Sequence, residues 1–123
     1  MEFKQGEIYW VLMKDTATTG AEQKKDRPYV IVSRNQINRL GQHVVAVPFT
    51  TKLKHACGHR ALIPTTQMIP NPACSRKLFD SVALTDQIRV LDKSRLEQPK
   101  MGDLSETARL GIEGTLAYVF DIR

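Results

Sequence analysis

Residues 20–33 read GAEQKKDRPYVIVS, a charged loop that runs directly into an apolar segment. The apolar run YVIVS is typical of a buried β-strand. Pro28 has no N–H group, so it fits the first position of a strand, and it favours an extended backbone at Arg27. Arg27 is therefore predicted to lie where the loop becomes a strand. Its planar, permanently charged guanidinium is suited to binding a phosphate.

Strand patterns flank this stretch on both sides. The sequence EIYWVLM, which ends at Met13, alternates with a period of two, and Ile8, Trp10 and Leu12 form the predicted inward face. The sequence HVVAVPFT, which ends at Thr50, is apolar through its centre and predicts a buried strand. The chain thus offers at least three strands in its first half.

The second half predicts further short strands around one irregular segment. Residues 61–64, ALIP, predict a short strand, whereas residues 65–77 contain two prolines and predict an irregular loop. Residues 80–91, DSVALTDQIRVL, predict strand structure with a bend at residues 85–86, and residues 92–96 predict one helical turn.

A helix is predicted at the end of the chain because apolar residues recur there in steps of four and three. Asp103 or Ser105 is expected to cap its start, and Glu106 follows Asp103 at the spacing of a capping box. Gly111 and Gly114 each cost about 1 kcal/mol relative to alanine inside a helix. We therefore expect close packing at those glycines. The apolar residues are Leu104, Ala108, Ile112, Leu116 and Val119.

Composition favours one domain over residues 1–123, folded as a small barrel or twisted sheet with a terminal helix. The 41% hydrophobic and 25% charged content is ordinary for a globular protein, and the net charge of +5 suits an anionic partner. No apolar run approaches the roughly 20 residues of a membrane span. The N-terminus has no signal core, so the cytoplasm is the predicted location. Cys57 and Cys74 are predicted to be reduced thiols.

Four motifs, in order along nearly the whole chain, resemble the MazF/PemK (Kid) toxin family. They are GEIYWV at 6–11, GAEQKKDRPYVIVS at 20–33, VPFTT at 47–51 and DSVALTDQIRVLDKSRL at 80–96. Each motif alone is weak, but their order is specific. The resemblance implies a mainly β, compact SH3-like barrel with a C-terminal helix. It also implies a homodimeric toxin that cuts single-stranded RNA without a metal or another cofactor, inhibiting translation and growth. The implied protein partner is a cognate antitoxin with an acidic or amphipathic tail.

RNA can be cleaved when a 2′-hydroxyl of the strand attacks the adjacent phosphate. This reaction requires a proton acceptor, stabilisation of a pentacoordinate phosphate and protonation of the leaving 5′-oxygen. Arg27 offers paired donors to phosphate oxygens, and a threonine hydroxyl adds one more. The resemblance implies that Arg27 of the RP motif and Thr50 of the P-x-T motif are catalytic. The implied products carry a 2′,3′-cyclic phosphate and a 5′-hydroxyl.

Two carboxylates are candidates for the proton acceptor, provided that a pocket raises the pKa. Glu22 lies in the EQ segment of the loop, and Asp86 lies in DQIR. The Kid-like branch of the family uses an arginine two residues before this aspartate, where this chain has Leu84. The sequence therefore follows the branch that relies on Arg27, and the base stays open between the two carboxylates. A structural ion pair is the alternative role for Asp86.

Residues in neighbouring loops and at strand ends are predicted to bind the RNA backbone and its splayed bases. They are Gln23, Lys24, Lys25, Thr51, Lys52, Lys54, Gln87 and Arg89. Arg60, Arg76 and Lys77 extend the same set of basic residues, and residues 65–77 are predicted to wall one side of the groove. A scattered, solvated basic surface is the alternative interpretation.

His55, Cys57, His59 and Cys74 have a spacing that matches no common zinc site, so no metal site is predicted. We interpret them as loop residues, although His55 or His59 is an alternative contact to RNA.

Two other functions are open. A non-catalytic toxin of the same fold binds DNA gyrase, as CcdB-type toxins do, and needs no arginine–threonine pair. A basic RNA-binding protein without cleavage is the second alternative, but no aromatic stacking motif supports it.

Overall fold

The structure of the chain, a computed structural model, describes residues 2–13 and 25–122. Within these residues the fold is an eight-stranded sheet with one long helix at the C-terminal end. The strands are β1 (Glu7–Val11), β2 (Arg27–Ile31), β3 (His43–Thr50), β4 (Ala61–Ile63), β5 (Met68–Pro70), β6 (Ser81–Ala83), β7 (Arg89–Asp92) and β8 (Gly102–Leu104). The helices are α1 (Asn35–Asn38) and α2 (Glu106–Phe120), and 3₁₀ turns occupy Leu53–His55, Thr65–Gln67, Thr85–Gln87 and Lys93–Arg95.

The strands pair antiparallel in the order β4-β6-β3-β2-β1-β8-β5, and β7 also pairs with β3. Strand β3 can hold two partners on one side because its first half pairs with β7 and its end with β6. Pro48 lies where the partner changes, a position at which its missing N–H is tolerated. The result is a nearly closed, mainly β barrel, which confirms the predicted fold class.

Apolar side chains fill both faces of the sheet. Strand β1 contributes Ile8 to one buried cluster, which includes residues of helix α2, and Tyr9 and Val11 to the other. The single inward face predicted for this strand is therefore wrong, because β1 is central in the sheet and is covered on both sides. Trp10 is partly buried against the first cluster, as predicted for a packing role, and the Arg76 guanidinium lies 4.1 Å from its ring centre.

Helix α2 begins after Ser105, whose hydroxyl accepts a hydrogen bond from the Ala108 N–H. Of the two predicted caps, Ser105 is confirmed, whereas Asp103 lies in β8 and forms an ion pair with Lys100. Ala108 and Ile112 are buried against the sheet, as the apolar spacing predicts. The helix thus covers one face of the barrel.

The close packing expected at two helical glycines is also wrong. Gly111 and Gly114 are exposed, and a Cβ added to either would meet no atom within 4 Å. Close approach occurs instead at Gly102 in β8, where an added Cβ would lie 2.4 Å from the carbonyl oxygen of Ile69. Glycine therefore allows β8 and β5 to pair at this point.

The irregular loop predicted for residues 65–77 is partly wrong, because Met68–Pro70 form the edge strand β5. Proline is tolerated at a sheet edge, so Pro70 does not prevent pairing. The strand predicted at 61–64, the bend predicted at 85–86 and the helical turn predicted at 92–96 are confirmed. They are observed as strand β4 and as the 3₁₀ turns Thr85–Gln87 and Lys93–Arg95. In the part of the chain that is described, no helix has the length and apolarity needed to cross a membrane.

Candidate active site

Arg27 begins β2 and Thr50 ends β3, so both residues lie at the same end of this antiparallel strand pair. The β2–β3 ladder ends at the pair of Tyr29 with Pro48, and Arg27 and Thr50 each lie two positions beyond it. The Arg27 Nη1 group also donates a long hydrogen bond of 3.5 Å to the carbonyl oxygen of Phe49, which keeps the guanidinium at this strand end.

A cleft of ≈ 230 Å³ opens at the same strand end, and most of its lining is cationic or polar. Among the described residues, no carboxylate belongs to this lining. Clefts lined by one sign of charge focus the electrostatic field and attract the opposite charge. The lining residues are Lys25, Arg27, Thr50, Lys52, His55, Arg60, Leu84 and Gln87.

The Arg27 guanidinium is half-buried, and no carboxylate in residues 2–13 or 25–122 lies within ion-pair distance of it. Its Nε group is buried and has no hydrogen-bond acceptor among those residues. Burial lowers the pKa of Arg27, and the nearby Tyr29 hydroxyl opposes this only in part. A buried donor without an acceptor is unfavourable. An incoming anion would supply the missing acceptor.

Arg89, on β7, and Arg27 both affect the hydroxyl group of Tyr29. Burial raises the pKa of the Tyr29 hydroxyl, while the charges of Arg89 and Arg27 act to lower it. The two arginines therefore both act on one buried phenol. Arg89, a predicted RNA-binding residue, is not part of the cleft lining.

Asp86 is held by Arg60 in a two-point ion pair. The Arg60 Nε group donates to Oδ1 at 2.8 Å, and Nη2 donates to Oδ2 at 2.9 Å. This hydrogen bonding holds the pKa of Asp86 below its usual value. The condition set for proton acceptance, a raised pKa, is therefore not met at Asp86, and the ion pair considered as its alternative role is present.

The histidines and cysteines of the 55–74 region have different surroundings. His55 lines the cleft, whereas the His59 ring stacks on Tyr118 with centroids 6.5 Å apart and lies 3.6 Å from Asp86 through Nε2. The Cys57 sulfur lies 3.5 Å from His59 Nδ1, and Cys74 packs against the first core cluster. The described residues contain no group of three or more His, Cys, Asp or Glu side chains that could hold a metal ion.

Apart from Arg89, the predicted RNA-binding residues have four different placements. Thr51 lines a smaller neighbouring cleft of ≈ 30 Å³, and Lys54 is exposed in the turn Leu53–His55 without lining either cleft. Those that line the Arg27 cleft are Lys25, Lys52 and Gln87. Those that lie outside the described residues are Gln23, Lys24 and the catalytic candidate Glu22.

The segment 65–77 walls a different cleft of ≈ 460 Å³. None of its residues lines the Arg27 cleft, so the groove wall predicted for this segment belongs to another cavity. Its Arg76 is held by Glu97, with Nε 2.7 Å from Oε2, while stacking on Trp10. Arg76 therefore fixes this segment to the barrel.

Residues 4–120 match a family described as PemK-like, MazF-like toxin of type II toxin-antitoxin system. The chain belongs to this family. It is 31% identical over 113 residues to Endoribonuclease MazF of Staphylococcus epidermidis, an alignment that covers 92% of this chain and 87% of that protein. The MazF-like fold is also shared with solved structures.

One such structure is an endoribonuclease from a mycobacterial species, with a TM-score of 0.70, 20% identity and coverage of 99% of this chain and 94% of that one. A second is a mycobacterial endoribonuclease in complex with its cognate antitoxin, with a TM-score of 0.70, 22% identity and coverage of 98% and 96%. A third is MazF from Deinococcus radiodurans, with a TM-score of 0.68, 21% identity and coverage of 98% of each chain. At these identities the likeness shows the fold.

Sequence reasoning missed one feature of this MazF-like site. Arg60 was grouped with the basic residues of the groove, but its pairing with Asp86 was not predicted. The two residues lie 26 positions apart, and the contact depends on the pairing of β4 with β6. Spacing alone carries no signal for such a contact.

Proposed function

We propose that this MazF-type toxin is an endoribonuclease that cuts single-stranded RNA by transphosphorylation without a metal ion. The observation that carries the proposal is the half-buried Arg27 guanidinium beside Thr50 in a cleft lined by cations, with an Nε group that has no acceptor among the described residues. A phosphate in this cleft would meet permanent positive charge and could accept a hydrogen bond from that Nε group. The similarity to a protein named Endoribonuclease MazF supports the same reaction class.

In this reaction, the 2′-hydroxyl oxygen attacks the adjacent phosphorus and gives its proton to a base. The bond from phosphorus to the 5′-oxygen breaks, and that oxygen takes up a proton. The products are a 2′,3′-cyclic phosphate and a 5′-hydroxyl, so no water or redox partner is consumed. Arg27 stabilises the charge that develops on the phosphate oxygens and protonates the leaving oxygen, and Thr50 donates a hydrogen bond to the phosphate.

Of the two carboxylates considered for the base, we assign proton acceptance to Glu22 ahead of Asp86. Asp86 is a poor acceptor because Arg60 stabilises its charged form. Glu22 lies outside the described residues, so its assignment rests on its place in the family motif. Replacing Glu22 with glutamine is expected to lower kcat and to remove the acidic limb of the pH–rate profile. An unchanged profile would exclude Glu22 as the base.

The RNA strand is proposed to follow the cationic lining of the cleft. Lys25 and Lys52 neutralise backbone phosphates, and Gln87 and Thr51 contact bases that are splayed from the strand. The remaining members of the proposed RNA-binding set are Gln23, Lys24, Lys54 and Arg89. Sequence preference would then come from the base contacts, while the lysines set the affinity and its salt dependence.

We also infer that the protein forms a homodimer and binds a cognate antitoxin. Exposed apolar side chains, among them Val90 and Tyr118, are consistent with surfaces that a second copy or the antitoxin covers. The basic charge of the chain suits an acidic antitoxin segment that occupies the cleft and excludes RNA. Competition between RNA and the antitoxin for the purified protein would test this arrangement.

The decisive experiment incubates a long single-stranded RNA with purified protein in EDTA and identifies the fragment ends by mass spectrometry. Wild type is expected to leave cyclic-phosphate ends, and Arg27→Ala is expected to leave the RNA intact. Arg76→Ala is the matched control, because it removes a guanidinium outside the cleft. RNA that is bound but uncut by wild type would favour a binding protein. RNA that is neither bound nor cut would favour a toxin that acts on a protein such as gyrase.

A further inference from the structure

Arg60 lines the same cleft as Arg27 and Thr50, and only part of its guanidinium is used by Asp86. The ion pair occupies the Nε and Nη2 groups, at 2.8 and 2.9 Å from the two carboxylate oxygens. Nη1 makes no hydrogen bond to any residue that the structure describes. A guanidinium has five N–H donors, so a carboxylate on one edge leaves donors available for a second anion.

Both members of this pair are fixed by the backbone around them. Arg60 closes a tight turn in which its N–H donates to the Cys57 carbonyl at 3.1 Å, and strand β4 follows immediately. Asp86 lies in the 3₁₀ turn after β6, which pairs with β4. The Thr85 hydroxyl donates to the carbonyl oxygen of His59, which ties the two turns together. The guanidinium is therefore held at a defined position in the cleft wall.

A second two-point pair in the protein indicates what is specific about Arg60. Arg76 binds Glu97 through the same Nε and Nη2 groups, at 2.7 and 3.2 Å. Its guanidinium also stacks on Trp10, and it does not line the Arg27 cleft. Arg60 has no such aromatic contact among the described residues, and its side chain lines the cleft beside another arginine without a carboxylate partner.

We propose that Arg60 is a second phosphate-binding arginine of the cleft, which contacts the bound RNA backbone, and that Asp86 is the positioning residue that orients it. This inference rests on the proposed function, because it assigns the ligand of Arg60 as an RNA phosphate. Arg27 and Arg60 then both contact phosphates of the bound RNA in one cleft. Asp86 acts by fixing a guanidinium, so it needs no proton transfer of its own.

The test compares wild type with Arg60→Ala, Arg60→Lys, Asp86→Asn and the double variant Arg60→Ala/Asp86→Asn. Cleavage is measured in EDTA. Binding is measured on the same RNA with a single 2′-deoxynucleotide at the position that wild type cuts, so that no cleavage occurs. Arg76→Ala is the control for loss of a two-point arginine pair elsewhere. Thermal unfolding verifies that each variant is folded.

Arg60→Ala is expected to lower kcat/KM by about 10- to 100-fold. The slope of log K against log salt for binding the uncut RNA should fall by about 0.7, the value for one lost contact to a single strand. Arg60→Lys keeps the charge but loses the fork, so it should retain the salt slope and lose part of the activity. Arg76→Ala should change neither quantity. An unchanged salt slope and unchanged cleavage in Arg60→Ala would overturn the proposal.

Asp86→Asn is expected to lose no more activity than Arg60→Ala, and the double variant should be no worse than Arg60→Ala alone, because both changes remove one function. Millimolar guanidinium should partly restore cleavage by Arg60→Ala. If the effects of the two single changes multiply, or if Asp86→Asn alone removes the acidic limb of the pH–rate profile, Asp86 is a base and its positioning role is wrong.

Failure of this inference is distinguishable from failure of the proposed function. Wild type that leaves RNA intact contradicts the nuclease, but the binding measurements on uncut RNA still test Arg60. Wild type that cuts normally, together with an Arg60→Ala variant that cuts and binds equally well, contradicts only the role of Arg60.

Discussion

Arg27 and Arg76 are two arginines in opposite situations on one small barrel. Arg76 has a carboxylate on one edge and an indole ring under its face, and it lies outside the cationic cleft. Arg27 is half-buried at a strand end, with a buried Nε that has no acceptor in the part of the chain that is described. Among the described residues, the Nε and Nη2 groups of Arg76 have protein partners, and the Nε group of Arg27 has none.

This difference separates a structural arginine from a ligand-binding arginine. Each interaction of Arg76 exists in the absence of any ligand, so its energy contributes to folding. Desolvation of Arg27 lowers its pKa and opposes folding, and a bound anion would offset that cost. Arg60 is intermediate, with one edge bound by Asp86 and the remaining donors available in the cleft.

The largest effect is expected for Arg27→Ala, which should lower kcat/KM by about 100-fold or more, the scale observed when one donor to a developing oxyanion is removed. Its free energy of unfolding should stay within about 0.5 kcal/mol of wild type, because no ion pair is lost among the described residues. Cleavage assays and chemical denaturation on the same preparations measure both quantities. A large loss of stability would mean that Arg27 is structural and would remove the contrast with Arg76.

Thr50→Val is expected to lower kcat by about tenfold, the equivalent of one hydrogen bond of about 1.4 kcal/mol in the transition state. The change keeps the β-branched shape but removes the acceptor of the Lys52 N–H, which lies 3.2 Å from Thr50 Oγ1, so the free energy of unfolding should fall by about 1 kcal/mol or less. Thr51→Val is the comparison: Thr51 lines a neighbouring cleft and is proposed to contact a base, so this change should raise KM and leave kcat near wild type. Equal losses of kcat in the two variants would argue against a specific role for Thr50.

Arg76→Ala is expected to have the opposite effect to Arg27→Ala, a loss of stability without a loss of cleavage. It should lower the free energy of unfolding by about 1 kcal/mol, because a cation–π contact and a partly exposed ion pair are each worth about that much or less. Cleavage should remain within about twofold of wild type, since the side chain does not reach the cleft. A loss of cleavage without a loss of stability would place RNA against this segment as well.

The smallest effect is a pH dependence of stability from the same pair. The hydrogen bond from Arg76 holds the pKa of Glu97 below its usual 4.5 in the folded protein. The pair therefore stabilises the protein above that pH, and its contribution disappears as the pH falls through the lowered pKa. The Tm difference between wild type and Glu97→Gln should shrink from about pH 6 to about pH 3. A constant difference would show that the pair is not formed in solution.

Local pattern was sufficient to predict most of the strands, the terminal helix and the position of Arg27 at the start of a strand. Period-two and helical spacings report which side of an element is apolar, and Pro28 marks a strand start wherever the strand is placed. The expectation of close packing at Gly111 and Gly114 came from the cost of glycine in a helix and not from this spacing, and both residues are exposed. Residues 65–77 were predicted as a loop because their prolines do not reveal an edge strand.

The sequence by itself determined the barrel class, the family and the residue types available for phosphate chemistry, because these depend on short-range pattern and on motif order. Only the tertiary structure decided which of those residues meet. The antiparallel pairing of β2 with β3 brings Arg27 and Thr50 to one cleft, and the pairing of β4 with β6 brings Arg60 to Asp86. Such contacts join positions more than 20 residues apart, so they depend on how strands pair and not on what each segment prefers locally.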